Sequence, residues 1–407
     1  MKKYILFFTT LIIQIFFSLN SFAGNFNSIK DHNYLLLMDM DSKEVLLSKN
    51  SHKRMAPSSM TKLMTAYVVF DQVNKGNIKL NNYCVIGKDA WRKRGSTMFL
   101  NYGDIVSINT LVTGLLTVSG NDASVALAQS VGKDYDNFIS LMNFKARELG
   151  MHDSKFQNPH GLNENGHYMS LHDLATLISR IYKDFPEYSS YLGIKKFTYG
   201  KITQYNRNPL IKQKYEGVMG GKTGHTNDGG YGIIAAVHRG NRTLVGVVNK
   251  ARTSRKRNKM ITQLFDFGFE KFHKVELFKK NQKITNLKTW NGEKKSVTVA
   301  TNKDIIFNIP KNIDINDIKV TIDYNGPIQT PINEGKKIAT LKVQIKDYKT
   351  LSYSLFALEE VKKARFFTSL SQKIIYKTRQ FLAKANLFHT YVISKQSEEP
   401  LVGFDQT

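Results

Sequence analysis

Ser59 and Lys62 stand three residues apart at the front of an apolar run that continues through Ala66, Tyr67, Val68, Val69 and Phe70. The run predicts a buried helix entered through Pro57, and i,i+3 spacing on that helix places both side chains on one face. There the Lys62 amine can reach the Ser59 hydroxyl. A hydroxyl is a weak nucleophile unless a base sits beside it, and a lysine can serve as that base once burial has stripped its proton. S-x-x-K alone arises readily by chance in a Lys-rich chain, so the pair needs support from elsewhere. Two further groups offer it: Ser119-Gly120-Asn121, a hydroxyl and an amide on a turn after a helix, and Lys222-Thr223-Gly224 ahead of a strand hairpin. Taken singly, Lys222 reads as a solvated strand-end lysine and Ser119 as an ordinary cap.

Several elements must position these groups. Tyr34 to Met40 and Glu44 to Leu47 flank Asp41-Ser42-Lys43 and read as a hairpin whose first strand is nearly all apolar. A strand that apolar is buried on both faces, so helices should cover its sheet. Helical periodicity marks Ile108 to Leu116, Ala123 to Val131 and Asp134 to Leu149, and Ser170 caps another helix. Tyr231 to His238 and Thr243 to Asn249, joined by Arg239-Gly240-Asn241-Arg242, form the clearest hairpin, and Lys259 to Phe272 reads as a closing helix. From Val275 to Lys349 short β-like runs alternate with Asn-Gly and Pro turns, the spacing of a small all-β domain. Val361 to Ala385 then carries Phe367, Leu370, Ile374 and Phe381 at helical spacing among Lys and Arg, a basic amphipathic helix suited to an anionic membrane surface.

The termini and composition set the compartment. Met1-Lys2-Lys3, a short apolar stretch and Ser21-Phe22-Ala23-Gly24 describe a secretory signal peptide cleaved after Ala23. Cys84 is the only cysteine, so no intrachain disulfide forms and the fold rests on its core. The net charge of +26 suits an anionic partner such as a phospholipid surface, while export disfavours nucleic acid. Export also disfavours an NTPase, although Gly220-Gly221-Lys222-Thr223 imitates the end of a phosphate loop; Glu216 stands where that loop needs glycine. A zinc peptidase built from His152, His160, His167 and His172 lacks the H-E-x-x-H pattern.

S-x-x-K, S-x-N and K-T-G occur here in the chain order of the serine set shared by β-lactamases and penicillin-binding proteins. The chain resembles a low-molecular-weight penicillin-binding protein, a serine-type D-alanyl-D-alanine carboxypeptidase. The likeness covers Met55 to Thr65, Gly95 to Leu100, Ser119 to Ala123, Asn158-Pro159-His160-Gly161-Leu162 and Lys222 to Thr226, and extends to the β domain and basic helix. It implies an α+β fold: a penicillin-binding/β-lactamase-like domain, an antiparallel sheet covered by helices, followed by a small all-β domain and a C-terminal amphipathic helix. The expected limits are a signal peptide over 1–23, a catalytic domain over 24–273, a β domain over 274–350, a membrane-associating helix region over 351–386, and a tail of unknown role over 387–407.

The resemblance also implies roles. Ser59 is the expected nucleophile, Lys62 its base and Ser119 a proton relay, with Asn121, Lys222, Thr223, Gly224, His225 and Arg207 binding substrate. The amides of Ser59 and His225 would form an oxyanion hole, and Asn158 and His160 would pin a loop. Neither metal nor organic cofactor is required. The expected partners are peptidoglycan stem peptides, β-lactam antibiotics as covalent inhibitors, and an anionic membrane surface on the periplasmic side of the cytoplasmic membrane. A D,D-endopeptidase acting on crosslinks would use the same residues. A β-lactamase would need a dedicated deacylating glutamate, and its loop pattern is not found.

Overall fold

The computed structural model describes residue 29, residues 31–364 and residues 389–392. The predicted signal peptide and the basic helix from residue 365 onward lie outside the described residues. The chain divides into two compact units, Met1–Glu270 and Lys271–Thr407.

In the first unit, β1 (Leu35–Asp39) and β2 (Val45–Lys49) form the predicted hairpin. A short 3-10 turn, Ser58–Thr61, leads into α1 (Lys62–Asn74). There follow β3 (Tyr83–Val85), α2 (Lys88–Trp91), β4 (Ile105–Ser107), α3 (Ile108–Thr117), α4 (Asn121–Val131), α5 (Tyr135–Glu148) and α6 (Leu171–Asp184). Ser107, Asp134 and Ser170 cap α3, α5 and α6 by accepting from the amides of Thr110, Asn137 and Asp173. The small hairpin β5 (Lys196–Tyr199) and β6 (Ile202–Tyr205) precedes α7 (Pro209–Lys212), then β7 (Val218–Thr226), β8 (Gly230–Arg239), β9 (Arg242–Ala251) and α8 (Ser254–Lys271).

The central sheet is antiparallel throughout, in the order β2-β1-β9-β8-β7. Its inner strands β1, β9 and β8 are apolar because both faces are covered, and their side chains alternate between two cores. Leu36, Met38, Ile234, Ala236, Val245 and Val247 join the large cluster built from α1 and α3 to α6. Leu35, Leu37, Ile233, Ala235, Leu244 and Val248 pack instead on Ile261, Leu264 and Phe265 of α8. The helix α8 begins five residues before the predicted Lys259. Its first turns are a run of Arg, Lys and Asn with no apolar stripe, and the start is marked by Thr253, whose hydroxyl accepts from the Lys256 amide.

In the second unit, β10 (Phe272–Phe278) pairs with β13 (Ile305–Pro310). The larger sheet contains β11 (Thr285–Trp290), β12 (Ser296–Ala300), β14 (Ile318–Tyr324), β15 (Ile328–Gln329), β16 (Lys337–Ile345), β17 (Lys349–Ala357) and β18 (His389–Val392). Their order is β15-β11-β12-β17-β16-β14-β18. Inward residues such as Val297, Val299, Ile322, Leu341, Val343 and Leu355 make its core.

The expected end of this domain at residue 350 is corrected. A turn with Asp347 at φ 54° folds β17 back on β16, pairing Leu351 with Val343 and Leu355 with Ala339. Bridges from Val361 to Ile332 and from Lys363 to Gly292 carry the unit on to residue 363, so Val361 to Ala364 are not helical. Part of the tail also has a place, since β18 pairs with β14 along Thr321 to Tyr324.

Phe265 is fully buried, and the missing side chain of Gly246 makes room for its ring, because a Cβ there would lie 2.9 Å from the ring's Cζ. Phe265→Ala should cost about 3–5 kcal/mol of stability, read as a lowered urea midpoint.

Candidate active site

Ser59 lies on the 3-10 turn that precedes α1 and Lys62 is the first residue of α1, so the pair straddles the junction with its two side chains three residues apart on one side. The Lys62 Nζ lies 3.1 Å from the Ser59 Oγ. It lies 2.7 Å from the Asn121 Oδ1 and 2.7 Å from the His160 carbonyl oxygen. Those last two atoms can only accept. A neutral amine has two N–H bonds for them and one lone pair left, aimed at the serine hydroxyl. Lys62 is 0% exposed, and burial first, then the charges of Lys222, Arg207 and Lys93, holds its pKa well below the usual lysine value.

The turn is held from behind by close backbone approaches. Ser58 takes a left-handed φ of 51° and its hydroxyl meets that of Thr226 at 2.9 Å. A Cβ on Gly161 would lie 1.9 Å from the Ser58 carbonyl oxygen, and one on Gly224 would lie 3.0 Å from the Pro57 carbonyl oxygen and 3.2 Å from the Ser59 amide nitrogen. Glycine is therefore required at 161, where the 158–162 loop closes on the Ser58–Ser59 turn, and at 224 a side chain would press on the same turn from β7. The loop is pinned as expected: the Asn158 Oδ1 accepts from the Gly161 amide, its Nδ2 donates to the Leu162 carbonyl and to Glu164, and the Thr65 hydroxyl donates to the Pro159 carbonyl. Burial depresses the His160 imidazole to about 2, so that ring is neutral; its Nδ1 accepts from the Leu162 amide, while the residue's backbone oxygen meets Lys62.

Ser119 sits between α3 and α4 with a left-handed φ of 66°, and it is buried with no hydrogen-bond partner for its Oγ among the described residues. Such strain in a non-glycine residue collects at functional sites. Asn121 opens α4, and its Nδ2 donates to the Arg94 carbonyl while its Oδ1 takes the Lys62 bond. Asp122, whose part was not legible from the motif, is a buried carboxylate that accepts from the amides of Met98, Leu100 and Ala123. It clamps the Gly95–Leu100 loop beside Asn121.

On β7, Lys222 and Thr223 are buried while His225 is exposed and stacks on Tyr231 at 3.9 Å. Burial, with Arg207 and Arg257 nearby, pulls Lys222 down to about 7. The Lys222 Nζ donates to the Thr223 carbonyl at 3.1 Å. Arg207 is exposed and bonds the Ser96 hydroxyl across the mouth. Arg257, a buried cation on α8, escaped notice because it lies within a run of basic residues. The sequence carried no signal for Lys93 either.

A buried lysine with a lowered pKa weakens the fold in proportion to its charge. The unfolded chain keeps this proton to about pH 10.4 and the folded one only to about 7, so the Lys222 penalty is full below pH 7 and fades as pH rises between those values. Lys222→Gln should therefore gain stability over the parent most at pH 6 and progressively less towards pH 10. Denaturant midpoints compared across that range check it.

Two family models match the chain: D-alanyl-D-alanine carboxypeptidase over residues 24–253, and the C-terminal domain of penicillin-binding protein 5 over residues 272–363. The D-alanyl-D-alanine carboxypeptidase DacF of Bacillus subtilis is 35% identical over 343 residues, spanning 83% of this chain and 87% of the relative. The solved structure of penicillin-binding protein 5 from Haemophilus influenzae superposes with a TM-score of 0.78 at 32% identity, covering 82% of this chain and 98% of the other. Penicillin-binding protein D2 of Listeria monocytogenes, solved in its ampicillin-bound form, matches 58% of this chain and 97% of its own at 27% identity and a TM-score of 0.54. With one family model matched over residues 24–253 and a second over residues 272–363, this protein belongs to the D-alanyl-D-alanine carboxypeptidase family.

Proposed function

We propose that Ser59 removes the terminal D-alanine from peptidoglycan pentapeptide stems through an acyl-enzyme. The observation that carries this reading is the fully buried Lys62 amine, with two bonds to pure acceptors and a third contact, at 3.1 Å, to the Ser59 hydroxyl. Neutral Lys62 takes the Ser59 proton as the oxygen attacks the carbonyl of the penultimate D-alanine. The amides of Ser59 and His225 stabilise the resulting oxyanion. Ser119, with its free hydroxyl, relays a proton to the nitrogen of the departing D-alanine, and the C–N bond breaks. Lys222, Thr223 and Arg207 hold the terminal carboxylate, a charge-assisted contact in a site rich in cations. The exposed edge of β7 at Gly224 and His225 lies along the substrate backbone, with Asn121 orienting a substrate amide. Water then attacks the ester and leaves a tetrapeptide stem.

Penicillin should add its own mass to Ser59 in one-to-one ratio in intact-mass spectra; an unmodified protein would remove the assignment. Ser59→Ala should release no D-alanine from a pentapeptide stem. On purified peptidoglycan, loss of terminal D-alanine without loss of crosslinks is the expected product pattern, and loss of crosslinks would identify an endopeptidase instead.

The reading includes export and a place at the outer face of the cytoplasmic membrane, supported by the signal-like N-terminus and the basic, aromatic sequence over 365–385. Because β17 and its bridges run to residue 363, the informative truncation falls after Ala364. That form should stay in the supernatant when anionic vesicles are pelleted and should retain full hydrolysis, whereas continued pelleting would place the anchor elsewhere.

A further inference from the structure

Six of the twelve exposed large hydrophobic residues among those described fall between Tyr83 and Ile105, so they are grouped rather than scattered. Tyr83, Val85 and Ile105 are 71%, 68% and 70% exposed on the two-stranded ribbon of β3 and β4, where Val85 pairs with Ile105. Cys84, facing the other way, is half-buried. Hydrogen bonds from Gly103 to the Ile86 carbonyl and from Ile86 to the Asp104 carbonyl join the end of this ribbon to the turn that carries Tyr102. The Tyr102 ring lies 6.4 Å from that of Trp91, and Lys88 stands over it. Phe99 is also exposed, held at a φ of 67° between the two buried residues whose amides Asp122 clamps.

The segment that carries Trp91 runs on along the chain into the loop beside Asn121. Arg94, whose carbonyl accepts from the Asn121 side-chain amide, stands three positions after Trp91, at most about 11 Å along the chain. Lys93 between them is close enough to act on the charge of Lys62 and His160. Four residues of the stem lie between the carbonyl that Ser59 attacks and the sugar, a reach of at most about 14 Å, so the sugar must lie within that distance. Resting on the stem-peptide reading above, we infer that the Trp91–Tyr102 pair and the β3–β4 ribbon form a platform for the amino-sugar strand from which the bound stem hangs. Pyranose C–H faces carry slight positive charge and meet the negative faces of aromatic rings, while the Tyr hydroxyl and Trp N–H serve sugar oxygens. Lys88, Arg92, Lys93 and Arg94 beside the rings complement the carboxylates of the stems.

The test compares two substrates. Trp91→Ala and Tyr102→Ala should each lower kcat/KM on polymeric peptidoglycan strands about tenfold, the usual loss for one aromatic anchor, and leave the free pentapeptide and penicillin acylation of Ser59 unchanged. Tyr83→Ser/Ile105→Ser, on the exposed ribbon face, provides a second variant with the same expectation. Equal rates on both substrates in every variant would overturn the platform, as would equal losses on both. Absence of D-alanine release from either substrate by the parent protein would instead overturn the stem-peptide reading. A direct probe is a β-1,4-linked N-acetylglucosamine tetramer, which should shift Trp91 fluorescence in a Trp290→Phe background. A shift with anionic vesicles and none with the tetramer would assign the surface to lipid and reject the proposal.

Discussion

The desolvation of one amine governs this structure. Lys62 is wholly enclosed, and an ammonium there would forfeit its hydration against only two carbonyl oxygens and a hydroxyl. Like charge from Lys222, Arg207 and Lys93 presses in the same direction. A protein ordinarily avoids such clustering of cations, and on the proposed mechanism the instability is offset by function, because a deprotonated lysine is the base the serine lacks. The remaining architecture keeps that amine dry and aimed: α1 supplies it, α4 and the 158–162 loop supply its two acceptors, and β7 closes the fourth side.

Closeness of approach is what turns these segments into a site. They come from positions about 60, 120, 160 and 222 in the chain and converge where Gly161 and Gly224 let backbone rest on backbone. The double-sided sheet makes this possible, since two cores hold β7 rigidly in register while the nucleophile's turn is packed against its edge. Asp122 extends the same logic to the mouth, fixing with one carboxylate the loop that carries Ser96 towards Arg207.

Much of this was legible before any coordinates. The apolar strand at Leu35 to Met38 foretold a sheet covered on both faces, and the ordered motifs singled out Ser59, Lys62 and Asn121, whose side chains the fold brings within hydrogen-bond distance, together with the buried Ser119 and Lys222. Legibility failed where the local pattern and the tertiary cause diverged. The start of α8 is written in a Thr253 cap and a polar run rather than in an apolar stripe, so periodicity found it late. β17 was cut short because its alternating Leu351, Ser352, Tyr353 and Ser354 sit between strand and loop in character, and only pairing with β16 decides. The influence of Arg257 and Lys93 on the site depends on through-space charge, which spacing along a chain does not encode.

The engagement of Asp122 has a chemical corollary. Its two oxygens are occupied by three backbone amides, and burial raises its pKa, so it has no lone pair turned towards a water near Ser59. On the proposed mechanism, hydrolysis of the ester then falls to the same amine that formed it, working once the leaving group has vacated the space. A peptide leaving group diffuses away and clears that space. On the same reading, a β-lactam nitrogen would stay tethered to the acyl chain after ring opening and occupy that space, so one arrangement would treat the two acyl groups differently.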